Sequence, residues 1–205
     1  MRPFTKSELK GVLLILFALL VATLSNLRIS IRKARDAQRR ADLASITNAL
    51  NKYQEEFGFY PHSEDGKIKA CEAENFEEVI QMLSQKKERS YQDFFAAMRP
   101  CQWGEDELKD IFSKTSSVYL SPIPQDPKQT QGIEYLYISN TRMFQLYAHL
   151  EGGKPEIGYD EKILSRNLNC GDKICNFGKS SGVTPLDKSL EEYERLLIEK
   201  NNSGI

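Results

Sequence analysis

The sequence predicts an α+β protein in which one long N-terminal helix packs on a small antiparallel sheet, with extra short helices between them. Apolar side chains within residues 28–57 recur every three or four positions, which is the repeat of one helix face. In residues 142–151, apolar and polar side chains alternate, which is the repeat of a strand. A helix followed by neighbouring strands is typical of the α+β class.

The helix is predicted to run without a break through residues 4–57. No proline interrupts positions 4 to 60, and the next glycine after Gly11 is Gly58, at a position where helices commonly end. Such a helix is about 75 Å long at ~1.5 Å per residue. Its apolar face consists of Leu43, Ile46, Leu50, Tyr53 and Phe57.

The first part of this helix is apolar enough to cross a membrane. Residues 11–27 contain no charged side chain, and a snorkelling Lys10 extends the run towards the ~20 residues that span a bilayer. A cleaved secretory signal has a shorter apolar core and a small-residue cleavage site, whereas the helix pattern continues here past Ala22. We therefore expect a retained transmembrane half, residues 4–27, and an amphipathic half, residues 28–57.

Small side chains form a stripe along the transmembrane half. At steps of four, seven, four and three positions they lie on one helix face, and small residues let helix backbones approach closely in lipid. A run this rich in leucine and alanine also shows such a stripe by chance. We interpret the stripe as a candidate face for helix packing between subunits, made of Ser7, Gly11, Ala18, Ala22 and Ser25.

A basic collar follows the apolar run. The formal net charge of -1 argues against a general nucleic-acid binder, because nothing global attracts phosphates. The collar itself contains six basic residues against only Asp36 and Asp42. We interpret it as a solvated face or a contact to phospholipid headgroups, with DNA binding as the weaker alternative. Its members are Arg28, Arg32, Lys33, Arg35, Arg39 and Arg40.

The head domain is predicted to span residues 58–160. Within it, residues 70–115 are predicted to be a helical insertion. A first short helix is indicated by the helical spacing of apolar side chains after a cap near Asn75. Further helical turns are expected around residues 94–98 and 108–112.

Three strands are predicted after the insertion, at residues 118–120, 133–139 and 142–151. We expect the apolar side of this sheet to pack on the amphipathic half of the helix. In the last strand that side consists of Phe144, Leu146, Ala148 and Leu150. The opposite side, expected to face outward, consists of Gln145, Tyr147, His149 and Glu151.

The C-terminal part, residues 161–205, is predicted to be a loop that contains Cys170 and Cys175, followed by a helix of about a dozen residues. Four cysteines permit three pairings. We expect Cys71–Cys101 and Cys170–Cys175, because each pair lies within one segment. The spacings lack the paired short gaps of a structural zinc site. An even number of cysteines in a compact domain indicates an oxidising compartment.

No catalytic, metal-binding or cofactor-binding set stands out in the sequence. The chain has only two histidines, His62 and His149, each interpreted as a surface residue, and it has no glycine-rich phosphate loop. We therefore predict no enzyme, no cofactor and no metal site. Two other groups are interpreted as ordinary core or solvated side chains rather than ligand sites: Tyr91, Phe94 and Trp103, and the carboxylates of Asp160, Glu161 and Asp172.

The N-terminal residues resemble those of type IV pilins and type II secretion pseudopilins. Phe4, Thr5, Glu8 and the apolar run after them look like the start of the mature chain in that family, where a phenylalanine precedes a glutamate by four residues. Residues 34–61 are similar to the helix end of the major pseudopilin type. Pro3 is a departure, because the family has glycine at that position.

The resemblance implies a pilin-like fold and a subunit that self-assembles into an extracellular filament, either a type IV pilus or a secretion pseudopilus. It implies that a prepilin peptidase removes a short leader, residues 1–3, between Pro3 and Phe4. It further implies that Glu8 pairs with the Phe4 amine of a neighbouring subunit, with inner-membrane machinery driving assembly. No cofactor and no nucleic acid is implied.

Two arguments about the orientation of the chain in the membrane disagree. Counting charges alone would place the collar in the cytoplasm, whereas the resemblance places the head outside the bacterial cytoplasmic membrane. The cysteines favour the outside, so we expect a single-pass chain with its N-terminus in and its head out.

Two other classes of function stay open. A membrane-anchored binding module that never polymerises is supported by Pro3, which departs from the processing site of the family. An anchored enzyme ranks last, because the chain lacks the residue sets that common catalytic sites need.

Overall fold

The computed structural model describes residues 5–85, 95–112, 117–154 and 157–202. Pro3, Phe4, Tyr91 and Phe94, on which expectations were placed above, lie outside these ranges. The helices are α1 (Lys6–Phe57), α2 (Phe76–Gln85), α3 (Glu161–Ser165) and α4 (Leu190–Asn202), with a 3-10 turn at Gln129–Gln131. The strands are β1 (His62–Glu64), β2 (Lys67–Glu72), β3 (Met98–Pro100), β4 (Leu108–Lys109), β5 (Val118–Leu120), β6 (Leu136–Ser139), β7 (Phe144–Ala148), β8 (Asn169–Cys170), β9 (Lys173–Ile174) and β10 (Phe177–Ser180).

The long helix α1 has a defined cap at each end. Thr5 is its N-cap, and the Thr5 hydroxyl accepts a hydrogen bond from the Glu8 amide. Gly58 ends it with φ 80°, a left-handed conformation that glycine adopts without a steric penalty. The Gly58 amide donates to the Gln54 carbonyl over 2.8 Å. The predicted unbroken helix ending at Phe57 is therefore confirmed.

The main core lies between the second half of α1 and the strands. Leu43, Ile46, Leu50 and Tyr53 are buried in one cluster with Phe144, Leu146 and Ala148 of β7. This is the predicted packing of the apolar side of the sheet on the helix. Strand β7 lies at the centre of a three-stranded antiparallel sheet with the order β10-β7-β6.

The expected outward side of β7 is also buried, which corrects the prediction that it faces outward. Tyr147 and Gln145 are completely inaccessible to solvent. They are covered by the C-terminal part of the chain, where Tyr147 packs with Ile163 and with the Cys170–Cys175 disulfide. This part of the chain is more than the predicted loop and helix, because Phe177–Ser180 adds β10 to the central sheet.

The predicted helical insertion at residues 70–115 is only partly helical. Helix α2 is present, whereas Leu108–Lys109 is the strand β4, paired with β5 rather than helical. Residues 67–72, which overlap the start of this region, form β2 between β1 and β3. Short strands bounded by turns carry a weak periodic signal, so a few apolar residues at helical spacing were misleading here.

Both predicted disulfides are present in the structure. Cys71 in β2 bonds to Cys101, which follows β3, and the two Cα atoms are 5.2 Å apart. Cys170 bonds to Cys175 and closes the β8–β9 hairpin. The first disulfide therefore ties two strands of one sheet together, and the second fixes the layer that covers Tyr147.

Candidate functional site: the free helix and its junction with the head

The helix α1 consists of two parts with opposite surroundings. We call residues 6–34 the free helix and residues 35–57 the packed helix. The large apolar side chains of the free helix are exposed, as Leu14 at 70 % and Phe17 at 65 % illustrate, whereas Leu43 and Leu50 of the packed helix are fully buried. The free helix is long and apolar enough to cross a membrane. It is the largest exposed apolar surface that the structure describes, and such surfaces mark membrane or protein contacts.

Glu8, the predicted assembly residue, lies in the first turn of the free helix. Its carboxylate accepts a hydrogen bond of 2.7 Å from the Thr5 amide, while the Thr5 hydroxyl accepts from the Glu8 amide. This reciprocal arrangement is a capping box, which satisfies two backbone donors at the helix start. Within one chain Glu8 therefore acts as a cap, and its expected partner Phe4 lies outside the described residues.

The small-residue stripe is exposed along the free helix. Ser7, Gly11, Ala18 and Ala22 are all exposed, and the Ser25 side chain lies outside the described part. A Cβ atom added at Gly11 would meet nothing within 4 Å. Within the described residues, no contact therefore requires a small side chain at Gly11.

Arg39 is the centre of an ion network at the point where the free helix meets the head. Its side chain is fully buried. The guanidinium donates to both carboxylate oxygens of Asp126, over 2.7 and 2.9 Å, in the bidentate geometry that favours arginine. The remaining guanidinium nitrogen of Arg39, Nη1, donates to Asp36 over 2.8 Å and to Glu151 over 2.9 Å. Three carboxylates from three separate segments therefore converge on one cation.

Glu151 connects this network to two further cations. Arg35 donates two hydrogen bonds of 2.6 Å to its two carboxylate oxygens, and the Lys128 ammonium donates a third of 2.9 Å. We call the six residues together the junction cluster; they are Arg35, Asp36, Arg39, Asp126, Lys128 and Glu151. Three positive and three negative side chains balance one another, as buried charges require.

Local backbone structure positions each carboxylate of the junction cluster. Asp36 accepts hydrogen bonds of 2.9 Å from the backbone amides of Glu151 and Gly152, which fixes the end of the β7 segment on α1. Residues 122–127 contain three prolines and form a loop. Asp126 of this loop accepts from the Lys128 amide over 2.7 Å, which closes the end of the loop into a turn. The cluster thus fastens a loop and a strand end to one helix turn.

Hydrogen bonds within the junction cluster shift the pKa values of Glu151 and Arg39 in directions that favour their charged forms. The hydrogen bonds from Arg35, and then those from Lys128 and Arg39, hold the pKa of Glu151 far below its usual value, against the opposing effect of burial. Burial alone would lower the pKa of Arg39. The hydrogen bonds to Asp126, Glu151 and Asp36 outweigh this effect, so the pKa of Arg39 is raised. Nearby Asp42 behaves differently, because burial raises its pKa despite a hydrogen bond from Tyr135.

The basic collar is therefore divided, which corrects its interpretation as one solvated or lipid-facing group. Arg39 and Arg35 bind carboxylates of the head, and Arg40 donates to the Ile157 carbonyl over 3.0 Å. Arg28 and Lys33, in contrast, are exposed on the free helix. A signal for the burial of Arg39 exists in the sequence: Arg35 and Arg39 precede Leu43 at four-residue steps on the same helix face.

The remaining candidate residues lie apart from this region or inside the core. Trp103 is buried in a T-shaped pair with Tyr135, at a centroid distance of 6.0 Å, and belongs to the main core. His149 is half-buried, with Nδ1 2.7 Å from the Ile174 carbonyl oxygen, rather than a surface residue. Asp160 caps α3 by accepting from the Lys162 amide. Among the described residues, no three metal-binding side chains of the His, Cys, Asp or Glu type form a group that could hold an ion.

Comparisons of the chain with models of protein families, with curated proteins and with solved structures found no match. What the protein does is therefore inferred from its own residues, chiefly from the free helix and the junction cluster.

Proposed function

We propose that this protein is a pilin-like structural subunit, anchored in the bacterial cytoplasmic membrane by the free helix with its head outside, which then assembles into an extracellular filament. The observation that carries the proposal is the division of α1. One unbroken helix exposes its large apolar side chains between Leu9 and Ile31 and buries one face in the head from Asp36 onward. A helix of this kind can lie in lipid before assembly and in a helical core afterwards.

Two further observations support residence in a membrane followed by export of the head. The described large apolar side chains between Leu9 and Ile31 are all exposed, which is costly in water and favourable in lipid. The two disulfides of the head suit an oxidising compartment outside the cytoplasm.

The second candidate is a membrane-anchored binding module that never polymerises. Two observations favour it. Pro3 departs from the glycine of the resembling family, and the Glu8 carboxylate already has a partner in Thr5 of its own chain. For this candidate Glu8 needs no neighbouring subunit.

Substitution of Glu8→Gln separates the two candidates. A carboxamide oxygen still accepts from the Thr5 amide, and glutamine is the other residue found in capping boxes, so the cap is retained while the charge is lost. We expect normal membrane insertion but loss of filaments, because a carboxylate that neutralises a neighbouring amine in an apolar core is hard to replace. Filament yield and membrane level of the subunit are measured together.

Glu55→Gln is the matched control, because Glu55 is an exposed carboxylate at the other end of α1; it should leave filament yield unchanged. Full-length filaments from Glu8→Gln at wild-type yield would refute the role of Glu8. A wild-type chain that keeps Met1–Pro3 by intact mass and forms no filament would favour the anchored module.

A further inference from the structure

Two exposed cations of the collar, Arg28 and Lys33, lie at a defined distance along the helix from the start of the predicted membrane span. Lys10 and Arg28 are 18 positions apart in one helix, which is about 27 Å along the axis. The hydrocarbon core of a bilayer is about 30 Å thick, so a span that begins near Lys10 ends near Arg28. From Arg28 to Asp36, where the head begins, is a further ~12 Å. Arg28 and Lys33 therefore lie between the hydrocarbon and the head.

The thickness of this zone matches the polar layer of a membrane. Headgroup regions add about 5–8 Å on each side of the hydrocarbon core, and the helix rises about 8 Å from Arg28 to Lys33. Side chains at this level meet phosphate groups rather than acyl chains or bulk water.

Among the described residues, these two cations have no carboxylate that neutralises them. No aspartate or glutamate occurs between Glu8 and Asp36, and Asp36 is occupied by Arg39 and two backbone amides. The next acceptor above them, Glu151, already binds Arg35, Arg39 and Lys128. In the part of the chain that the structure describes, Arg28 and Lys33 form no ion pair.

We infer that Arg28 and Lys33 bind the phosphates of anionic phospholipids, so that the free helix gathers negatively charged lipid around itself at the level of the headgroups. This inference rests on the proposed membrane residence of the chain. The contrast within the collar carries it: Arg35 and Arg39 are balanced by carboxylates at the junction cluster, whereas Arg28 and Lys33 are exposed and form no ion pair in the described part of the chain. Each basic side chain near an anionic surface favours the charged lipid by up to about fivefold.

The test uses the full chain reconstituted into vesicles of phosphatidylcholine with phosphatidylglycerol. Spin-labelled forms of the two lipids report, by electron paramagnetic resonance, how strongly each is held at the protein. The wild type should hold phosphatidylglycerol more strongly than phosphatidylcholine. The near pair of substitutions, Arg28→Gln with Lys33→Gln, should lower this preference by up to about fivefold for each charge.

A far pair, Lys52→Gln with Arg142→Gln, is the matched control, because it also removes one lysine and one arginine. Lys52 lies 24 positions beyond Arg28 in α1, about 36 Å along the axis. Arg142 follows Thr141, whose carbonyl accepts from the Tyr60 amide beyond the end of α1. The far pair should keep the wild-type preference. An equal loss in both pairs would mean that net charge alone acts, and would overturn the inference.

Two further outcomes distinguish this inference from the proposed function. If the wild type floats with vesicles and resists extraction at alkaline pH but shows no preference for phosphatidylglycerol, the lipid-binding role is wrong and membrane residence stands. If the wild type fails to insert, both are wrong. Added salt should weaken the preference, because exposed charges are screened over about 10 Å at 0.1 M; a preference that does not depend on salt would also contradict a phosphate contact.

Discussion

The free helix and the packed helix belong to one continuous helix, but side chains of the same type have opposite surroundings in the two parts. Arg39 of the packed helix is completely shielded from water and is bound by three carboxylates. Arg28, on the same helix face, is exposed and has no ion-pair partner among the described residues. Leucine shows the same contrast between Leu50 and Leu20. The function of a residue in α1 therefore depends on which side of the junction cluster it occupies.

The largest effect is expected from Arg39→Met, which keeps the volume of the side chain and removes its charge. Asp126, Asp36 and Glu151 would then lose their common partner, and removal of one partner from a buried ion pair costs about 3–5 kcal/mol. The free energy of unfolding of the head, measured by urea titration of the full chain in detergent, should fall by this amount.

Arg28→Met is the matched control on the free side of the junction, and it should change the same free energy by less than about 0.5 kcal/mol. Equal urea midpoints for the two variants would break the comparison, because the junction cluster would then contribute nothing to the head.

The second prediction compares two leucines of one helix. Leu50→Ala removes a fully buried side chain from the main core, and such substitutions cost about 2–5 kcal/mol. Leu20→Ala removes a side chain that is 54 % exposed in the single chain, so unfolding of the head should change by less than about 0.5 kcal/mol. Near-ultraviolet circular dichroism during urea titration measures both. A matching loss at Leu20 would show that the free helix packs on the head.

The smallest effect concerns acid, and it tests the charge balance of the junction cluster. The pKa of Glu151 is lowered in the folded chain, so its hydrogen bonds stabilise the head above the usual glutamate pKa of 4.5. This contribution, about 1.5–3 kcal/mol for bonds to a charged group, should be lost as the pH falls below 4.5 towards the folded-state pKa.

Glu151→Gln should be less stable than the wild type at pH 7, and the difference should shrink in acid, because the unfolded wild type then takes up a proton that folded Glu151 does not accept. Urea titrations at pH 7 and pH 3 measure it, with Glu55→Gln as the exposed control that leaves the curve unchanged. A difference that stays constant between the two pH values would mean that Glu151 acts through packing instead of charge.

Much of α1 and of its packing face could be predicted from the sequence. The end of the helix at Gly58 and the apolar face from Leu43 to Tyr53 follow from local rules of helix capping and period. The apolar side of β7 was also predictable from a local pattern. Successive side chains of a strand point to opposite faces, so strict alternation of apolar and polar residues identifies the apolar face.

The features that were missed depend on contacts between distant segments. A periodicity that scores only apolar residues treats Arg39 as a surface cation, and its partner Asp126 lies 87 positions away. The alternation in β7 predicts that Tyr147 faces outward. Its burial depends on a later part of the chain, because Phe177–Ser180 pairs with β7 and the residues after it cover the sheet. The short pairing of Leu108 with Leu120 left too few residues for a strand repeat. Burial of a polar residue is set by its partners, which a local pattern does not contain.

The unbroken course of α1 has a mechanical consequence. With 52 residues and no break, the helix is a single rod of about 78 Å, and the junction cluster fixes the head to it at the level of Arg39. From Ile31 to Phe57 the rod extends about 39 Å. A tilt of about 20° in the bilayer, ordinary for transmembrane helices, would therefore carry the far end of the head sideways by about 13 Å. In a membrane, the position of the head would therefore change with the tilt of the free helix.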